Sequence, residues 1–184
     1  MLSPLLMKRA ALALALVAAS SSMASAGRYI GIGLGTNAVY EGSDQLAEDG
    51  RSARLLGGMR WGTFSAEAMI SRYGLALADR SGATPLMAYQ LSGAAKLNLP
   101  LGDRFEAFGR AGVQHTTTSG DSTTYAAAGN GILLGGGFEY RLNTGIGAGS
   151  ITVDYQVNKA KLTGERFAFD TVIRQWTLGL TLGF

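Results

Sequence analysis

Glu41, Asp44, Glu48 and Asp49 crowd one short stretch of the chain. Carboxylates at that density are the donor type that calcium takes. The stretch lacks the D-x-D-x-D-G order of a calcium loop, so a solvated acidic segment is the better expectation. Lys159, Lys161 and Arg166 form a cationic group near the other end. Ammonium and guanidinium groups can hold phosphate through charge-assisted hydrogen bonds. Gly31, Gly33 and Gly35 imitate part of a dinucleotide fingerprint. No helical pattern follows to aim its N-terminus at a phosphate, so that likeness is superficial. The chain has one histidine, His115, and no cysteine. A histidine-rich metal centre, thiolate zinc, a disulfide framework and a lipid-modified cysteine are therefore excluded. No metal, cofactor or catalytic site is expected from these residue types.

The elements that carry these residues are legible in composition and period. Glycine accounts for 27 of 184 residues, roughly twice the ordinary share of ~7%. It shows no three-residue period, which excludes collagen. A hydrophobic content of 47% with 16% charge excludes a disordered chain. Past the N-terminus no apolar run reaches the ~18 residues of a membrane-spanning helix. At the N-terminus, Lys8 and Arg9 precede an apolar run from Ala10 to Ala19, then Ala24-Ser25-Ala26. That is the charged, apolar and A-x-A order of a Sec-type export signal. Residues 1–26 are expected to be removed, with Met7 rather than Met1 a plausible start, leaving one domain over 27–184. The 16 basic residues lose Lys8 and Arg9 with the signal, leaving 14 against 13 acidic. A nearly neutral chain has no electrostatic footprint for nucleic acid.

Beyond the signal the period is two. Trp176, Leu178, Leu180, Leu182 and Phe184 share one parity, and Gln175, Thr177, Gly179, Thr181 and Gly183 the other. A strand sends alternate side chains to opposite faces, so this segment is greasy on one side and small or polar on the other. Seven more segments read the same way, among them Ile30-Gly-Ile-Gly-Leu34, Phe64 to Ser71 and Ile151 to Asn158. They make eight strands of about nine to thirteen residues. The connections alternate in length. Gly62-Thr63 is a two-residue hairpin turn, Pro100 to Arg104 is short, and Leu142 to Gly149 is moderate. Asn37 to Asp49, Gly74 to Thr84, Thr116 to Asn130 and Lys159 to Phe169 read as long polar loops.

Charge placement decides which face is inside. Arg54, Arg60, Lys96 and Arg110 lie on the polar face with Glu67, Glu106, Glu139 and Asp154. Charges on the apolar face fall near strand ends, at Arg28, Arg51, Arg72 and Arg174. Balanced charges make a poor water-soluble core, but they can fill the interior of a membrane barrel if they are paired. Setting Trp61 opposite Phe64 brings Arg60 diagonal to Glu67. Setting Leu99 opposite Phe105 brings Lys96 diagonal to Glu106. Arg110, Glu139 and Asp154 are expected to join these pairs in one structural network with Arg54. Trp61, Phe64, Phe105, Tyr140 and Phe184 mark one aromatic band, Tyr89 and Trp176 a second. The expected fold is all-β, an eight-stranded antiparallel up-and-down transmembrane β-barrel.

These features resemble the eight-stranded outer-membrane β-barrel family of OmpA/OmpX type, small porin-like proteins of Gram-negative bacteria. The resemblance covers Gly27 to Phe184. It rests most on the final strand, TLGLTLGF. It implies that Trp176, Leu178, Leu180, Leu182 and Phe184 form the signal read by the barrel-assembly machinery. It also implies a monomer among outer-membrane lipids and lipopolysaccharide. Lys159, Lys161 and Arg166 could contact lipopolysaccharide phosphates, although ordinary solvated charge is the better expectation. No peptidoglycan-binding extension is expected after the barrel. His115 and Thr117 resemble part of the outward-facing site of outer-membrane lipid A deacylases, which use a histidine, a serine two residues on and an acid. Threonine replaces the serine here, and Ala128, Asn130 and Ile132 stand where the acid is needed. An unoriented imidazole is a poor general base. The expected role is structural or in surface interaction rather than catalytic. A small channel is the alternative, and a lipid A-modifying enzyme a more distant one.

Overall fold

A computed structural model describes residues 27–37, 39–41, 46–48, 51–79, 82–119, 127–144, 147–164 and 168–184. The expected export signal, Asp44, Asp49 and Arg166 lie outside the described residues. Ten strands follow in order: β1 (Gly27–Asn37), β2 (Val39–Glu41), β3 (Leu46–Glu48), β4 (Arg51–Trp61), β5 (Phe64–Asp79), β6 (Gly82–Pro100), β7 (Phe105–Ser119), β8 (Ala127–Thr144), β9 (Gly147–Gly164) and β10 (Ala168–Gly183). The eight long ones pair antiparallel with their chain neighbours, and β1 closes on β10 with Tyr29 opposite Gly183 and Gly35 opposite Thr177. The short pieces β2 and β3 add to β10 and β5.

Following the pairing once around from Tyr29 returns to the first strand about ten residues higher. Eight strands with that stagger tilt by about 40° and enclose a space that side chains fill. Period two does the rest. Ile32, Leu34, Val113, Phe138, Trp176, Leu178 and Leu180 all point outward and are exposed, while the residues between them are buried. A chain with its polar groups inside and its apolar groups out is stable only with lipid around it.

The Gly62-Thr63 turn joins β4 to β5 across the Trp61–Phe64 pair, as the sequence predicts. Gly62 has φ +60°, and no described non-glycine residue has positive φ. Glycine at the first turn position followed by negative φ is the II′ geometry whose twist suits a hairpin.

Three expected loops are largely strand. β5 and β6 pair through to Asp79 and Gly82, β7 and β8 reach Ser119 and Ala127, and β9 and β10 reach Gly164 and Ala168. At ~3.3 Å per residue and a ~40° tilt, strands of fifteen to nineteen residues climb about 38–48 Å, past a ~25 Å apolar band. Above that band the outward face meets water, so the greasy outer row stops while backbone pairing continues; inside, Ala127, Ala160 and Leu162 stay buried. Leu142 to Gly149 is also mostly paired, through Thr144 and Gly147. β2 and β3 lie within the expected first loop. The β6–β7 register differs by two residues: Leu99 lies opposite Ala107, and Pro100 opposite Glu106. Pairing runs through Pro100 because a proline at a strand end forfeits one donor only. A two-residue slip keeps every side chain on its face but changes its diagonal partners.

Candidate functional site: the charged interior

All eight of the charged residues assigned to the polar face lie inside the barrel. Seven are buried, and Arg60 is half-buried near the end that carries the tight turns. Their partners are not those that the expected registers give. Arg60 does not meet Glu67; its two terminal nitrogens each donate to Glu106 at 2.7 Å. Lys96 does not meet Glu106; it donates to Glu139 at 2.8 Å and lies 3.6 Å from Glu67. Glu67 also faces Arg110 at 3.3 Å, and Arg110 lies 3.9 Å from Asp154. Asp154 takes both terminal nitrogens of Arg54, at 3.1 and 2.5 Å.

The reason is geometric. The diagonal rule compares adjacent strands, but inside so narrow a barrel long side chains also meet across it. Arg54 on β4 reaches Asp154 on β9, and Arg60 on β4 reaches Glu106 on β7. Adjacent positions carry like charges instead: Lys96 is opposite Arg110 and Glu106 opposite Glu139. Such neighbours repel, so each is held by opposite charge from elsewhere. Phe108 assists the cations, its ring centre lying 4.2 Å from Lys96 Nζ and 5.0 Å from the Arg110 guanidinium carbon.

Several members of this network escape the sequence reading. The Tyr29 hydroxyl donates to Glu67 at 2.7 Å. Arg141 donates to Glu106 beside Arg60. Arg54 also donates to Gln156 at 3.1 Å, Gln156 to Asn158 at 2.9 Å, and the Tyr73 hydroxyl to Gln90 at 2.8 Å. Parity would have found them: Tyr29 shares the face of Gly31, Tyr73 that of Glu67, and Arg141 that of Glu139. Ion pairs and amides thus form a column from the tight-turn end toward the long-strand end. Leu56, Met69, Ala94 and Leu133 cluster beside it, with Tyr29 against them. Below the column a cavity of about 260 Å³ opens at the tight-turn end, lined by Arg28, Arg60, Glu139 and Arg141 among others.

The remaining sequence candidates lie outward or at the ends. Trp176, Leu178, Leu180, Leu182 and Phe184 form one exposed row on β10 and its end, with Phe184 76% exposed. Arg28 and Phe184 exchange backbone hydrogen bonds at 2.9 and 3.2 Å. Phe105 stacks on Tyr140, and Tyr155 on Trp176. Arg72 lies within β5, and Lys159 and Lys161 lie in β9 rather than in a loop. His115 is not unoriented, since its Nδ1 lies 2.8 Å from Asn130 Oδ1. The partner is an amide, which orients an imidazole without a carboxylate's charge to stabilise imidazolium. Among the described residues no group of His, Asp and Glu is placed to hold a metal ion.

The family model for the outer membrane protein beta-barrel domain matches residues 10–184. Solved structures of similar shape include surface protein A of Neisseria, at 17% identity and TM-score 0.69, covering 87% of this chain and 99% of that one. OprG of Pseudomonas aeruginosa is similar at 13% identity and TM-score 0.58, covering 86% and 96%. Ail, the attachment invasion locus protein of Yersinia pestis, is similar at 14% identity and TM-score 0.53, covering 86% and 99%. No curated protein matches the sequence.

Proposed function

Because the chain belongs to the outer membrane protein β-barrel family, we propose that it is an exported, monomeric barrel of a Gram-negative outer membrane that holds a rigid wall in the bilayer and presents its long-strand end outside. The single observation that carries this reading is the filled interior beneath an apolar outer face. A barrel built to conduct leaves a water path, whereas this one spends its interior on a column of paired side chains. The same fold serves a protein named for the surface and one named for attachment, which suits a presenting role. Lipopolysaccharide and neighbouring lipids are its partners, and the barrel-assembly machinery reads the outward row from Trp176 to Phe184. No catalytic role is included, because Thr117 and the His115–Asn130 pair supply no acid.

Planar-bilayer recordings of the refolded protein test the wall reading. The expected result is a bilayer without sustained open levels. Long-lived currents that follow the protein through purification would make it a channel.

Fractionation tests export. The processed chain should appear in the outer membrane and begin at Gly27. A folded form that stays soluble in the periplasm without detergent would remove the membrane reading.

A further inference from the structure

Charge inside the barrel no longer balances once Arg141 joins the column. Arg54, Arg60, Lys96 and Arg110 face Glu67, Glu106, Glu139 and Asp154, four of each sign. Arg141 lies two residues past Glu139 on the same face of β8, and it makes five cations against four carboxylates. The surplus gathers at one acid. Glu106 accepts from both terminal nitrogens of Arg60 and from one of Arg141. Among the described residues Arg141 pairs with no other carboxylate. One carboxylate cannot neutralise two guanidinium groups. Arg141 is also 44% exposed, with N–H donors of its planar fork still unused.

That surplus borders the cavity at the tight-turn end. The cavity is there because several of the side chains around it are small, among them Ser65, Ala148, Ser150 and Thr181. Its volume of about 260 Å³ is several times the ~30 Å³ share of one liquid water. Two pairs in its wall are already satisfied. Ser150 and Thr181 bond each other, and Lys96 donates to Glu139 at 2.8 Å.

Asn98 is not satisfied. Its side chain is fully buried and lines the cavity. Its Nδ2 donates to the Thr63 carbonyl at 3.2 Å and to Ser65 Oγ at 2.9 Å. Those two bonds fix the amide, because a flipped one would set its oxygen against the Thr63 carbonyl. Asn98 Oδ1 then has no partner among the described residues. A buried acceptor without a donor is costly. The cavity therefore combines unspent cationic donors with one acceptor that asks for an O–H or N–H.

We infer that this cavity is a binding site for one phosphate-type oxyanion that keeps a P–OH, either the free ion or a phosphate monoester. Its oxygens accept from Arg141, with Arg60 beside it, and its hydroxyl donates to Asn98 Oδ1. Guanidinium matches phosphate oxygens in charge and shape. The bound charge supplies what Glu106 alone does not. A carboxylate or a sulfate brings acceptors only and sets an oxygen against Asn98 Oδ1. Under the orientation proposed above, the cavity opens to the periplasm; the site itself depends only on the barrel interior.

Isothermal titration calorimetry of the refolded barrel in non-ionic detergent tests this, with sodium phosphate and sodium sulfate as probes. Wild type should take up one phosphate saturably and prefer it to sulfate by about tenfold, equivalent to ~1.4 kcal/mol. Arg141→Gln should weaken both ions by about tenfold. Asn98→Ala should remove the preference and leave sulfate binding as it was. Methyl phosphate and dimethyl phosphate separate the sources. A monoester that binds more tightly than the free ion names an esterified ligand, and one that binds more weakly names the free ion. The diester has no P–OH and should bind no better than sulfate. A heat-dependent shift in gel mobility reports that each variant is folded, and the wild-type ratio stands as a test even if Asn98→Ala fails to fold. Absence of saturable uptake overturns the site. So does equal binding of phosphate and sulfate by wild type, or phosphate uptake unchanged in folded Arg141→Gln. A barrel that stays soluble without detergent overturns instead the membrane reading and leaves this site standing.

Discussion

Arg54→Met should destabilise the barrel by roughly 3–5 kcal/mol, because it leaves the buried Asp154 carboxylate without its main counter-charge. Both side chains are almost inaccessible, at 2% and 1%, so water cannot take the arginine's place. Arg110, 3.9 Å from Asp154, offers partial compensation and sets the result toward the lower end. Removing both partners, as Arg54→Met with Asp154→Leu, should recover most of the loss. The double change also leaves Arg110 and Lys96 facing Glu67 and Glu139, still balanced. Thermal unfolding in detergent closes the double-mutant cycle. Arg60 with Glu106 should show a smaller coupling, since Arg60 retains 24% exposure and Arg141 serves the same carboxylate. Purely additive losses for Arg54 and Asp154 would place the two side chains apart and break the interior column.

This pair also marks the boundary of what sequence can say. Parity alone puts Arg54 and Asp154 on the inner face, because one residue of error would carry the whole apolar row inward. It cannot say that they touch, since β4 and β9 are not neighbours and the contact depends on barrel diameter. The expected Arg60–Glu67 and Lys96–Glu106 pairs fail for the same reason, and the second also through the two-residue slip at Pro100. Strand lengths are legible only inside the apolar band. Tyr73, just above Ser71, already belongs to the interior, yet no greasy alternation continues beyond it to announce that β5 runs on to Asp79. Gly93, Ala95, Gly109 and Ala111 are legible in the sequence as small residues, but that they fall beside Ala66 and Ala68 depends on register across β5 to β7.

Phe184→Asp should reduce the assembled barrel in cells several-fold and leave the finished barrel almost as stable as before. Two observations separate these effects. The ring is 76% exposed, so it packs little against its own chain. Its backbone, which Asp keeps, makes the two hydrogen bonds to Arg28 that fasten the last strand to the first. What the substitution removes is an aromatic at the membrane interface, where such rings anchor, and the last outward residue of the row proposed as the assembly signal. Thr181→Asp provides the contrast. Thr181 lies on the inner parity, where its hydroxyl meets that of Ser150, so a carboxylate there disturbs the interior and leaves the outward row unchanged. The expected pattern is therefore crossed. Phe184→Asp should lose abundance while its Tm after refolding in detergent stays within about 4 °C of wild type, the shift expected for 1 kcal/mol in a chain of this size. Thr181→Asp should assemble near normally with a lower Tm. Heat-modifiable band intensity from membranes measures assembly, and unfolding of refolded protein measures stability. If Phe184→Asp loses Tm in proportion to abundance, the aromatic is a structural clamp and not a signal. Should Thr181→Asp deplete the membrane form equally, the parity of the final strand has no part in its recognition.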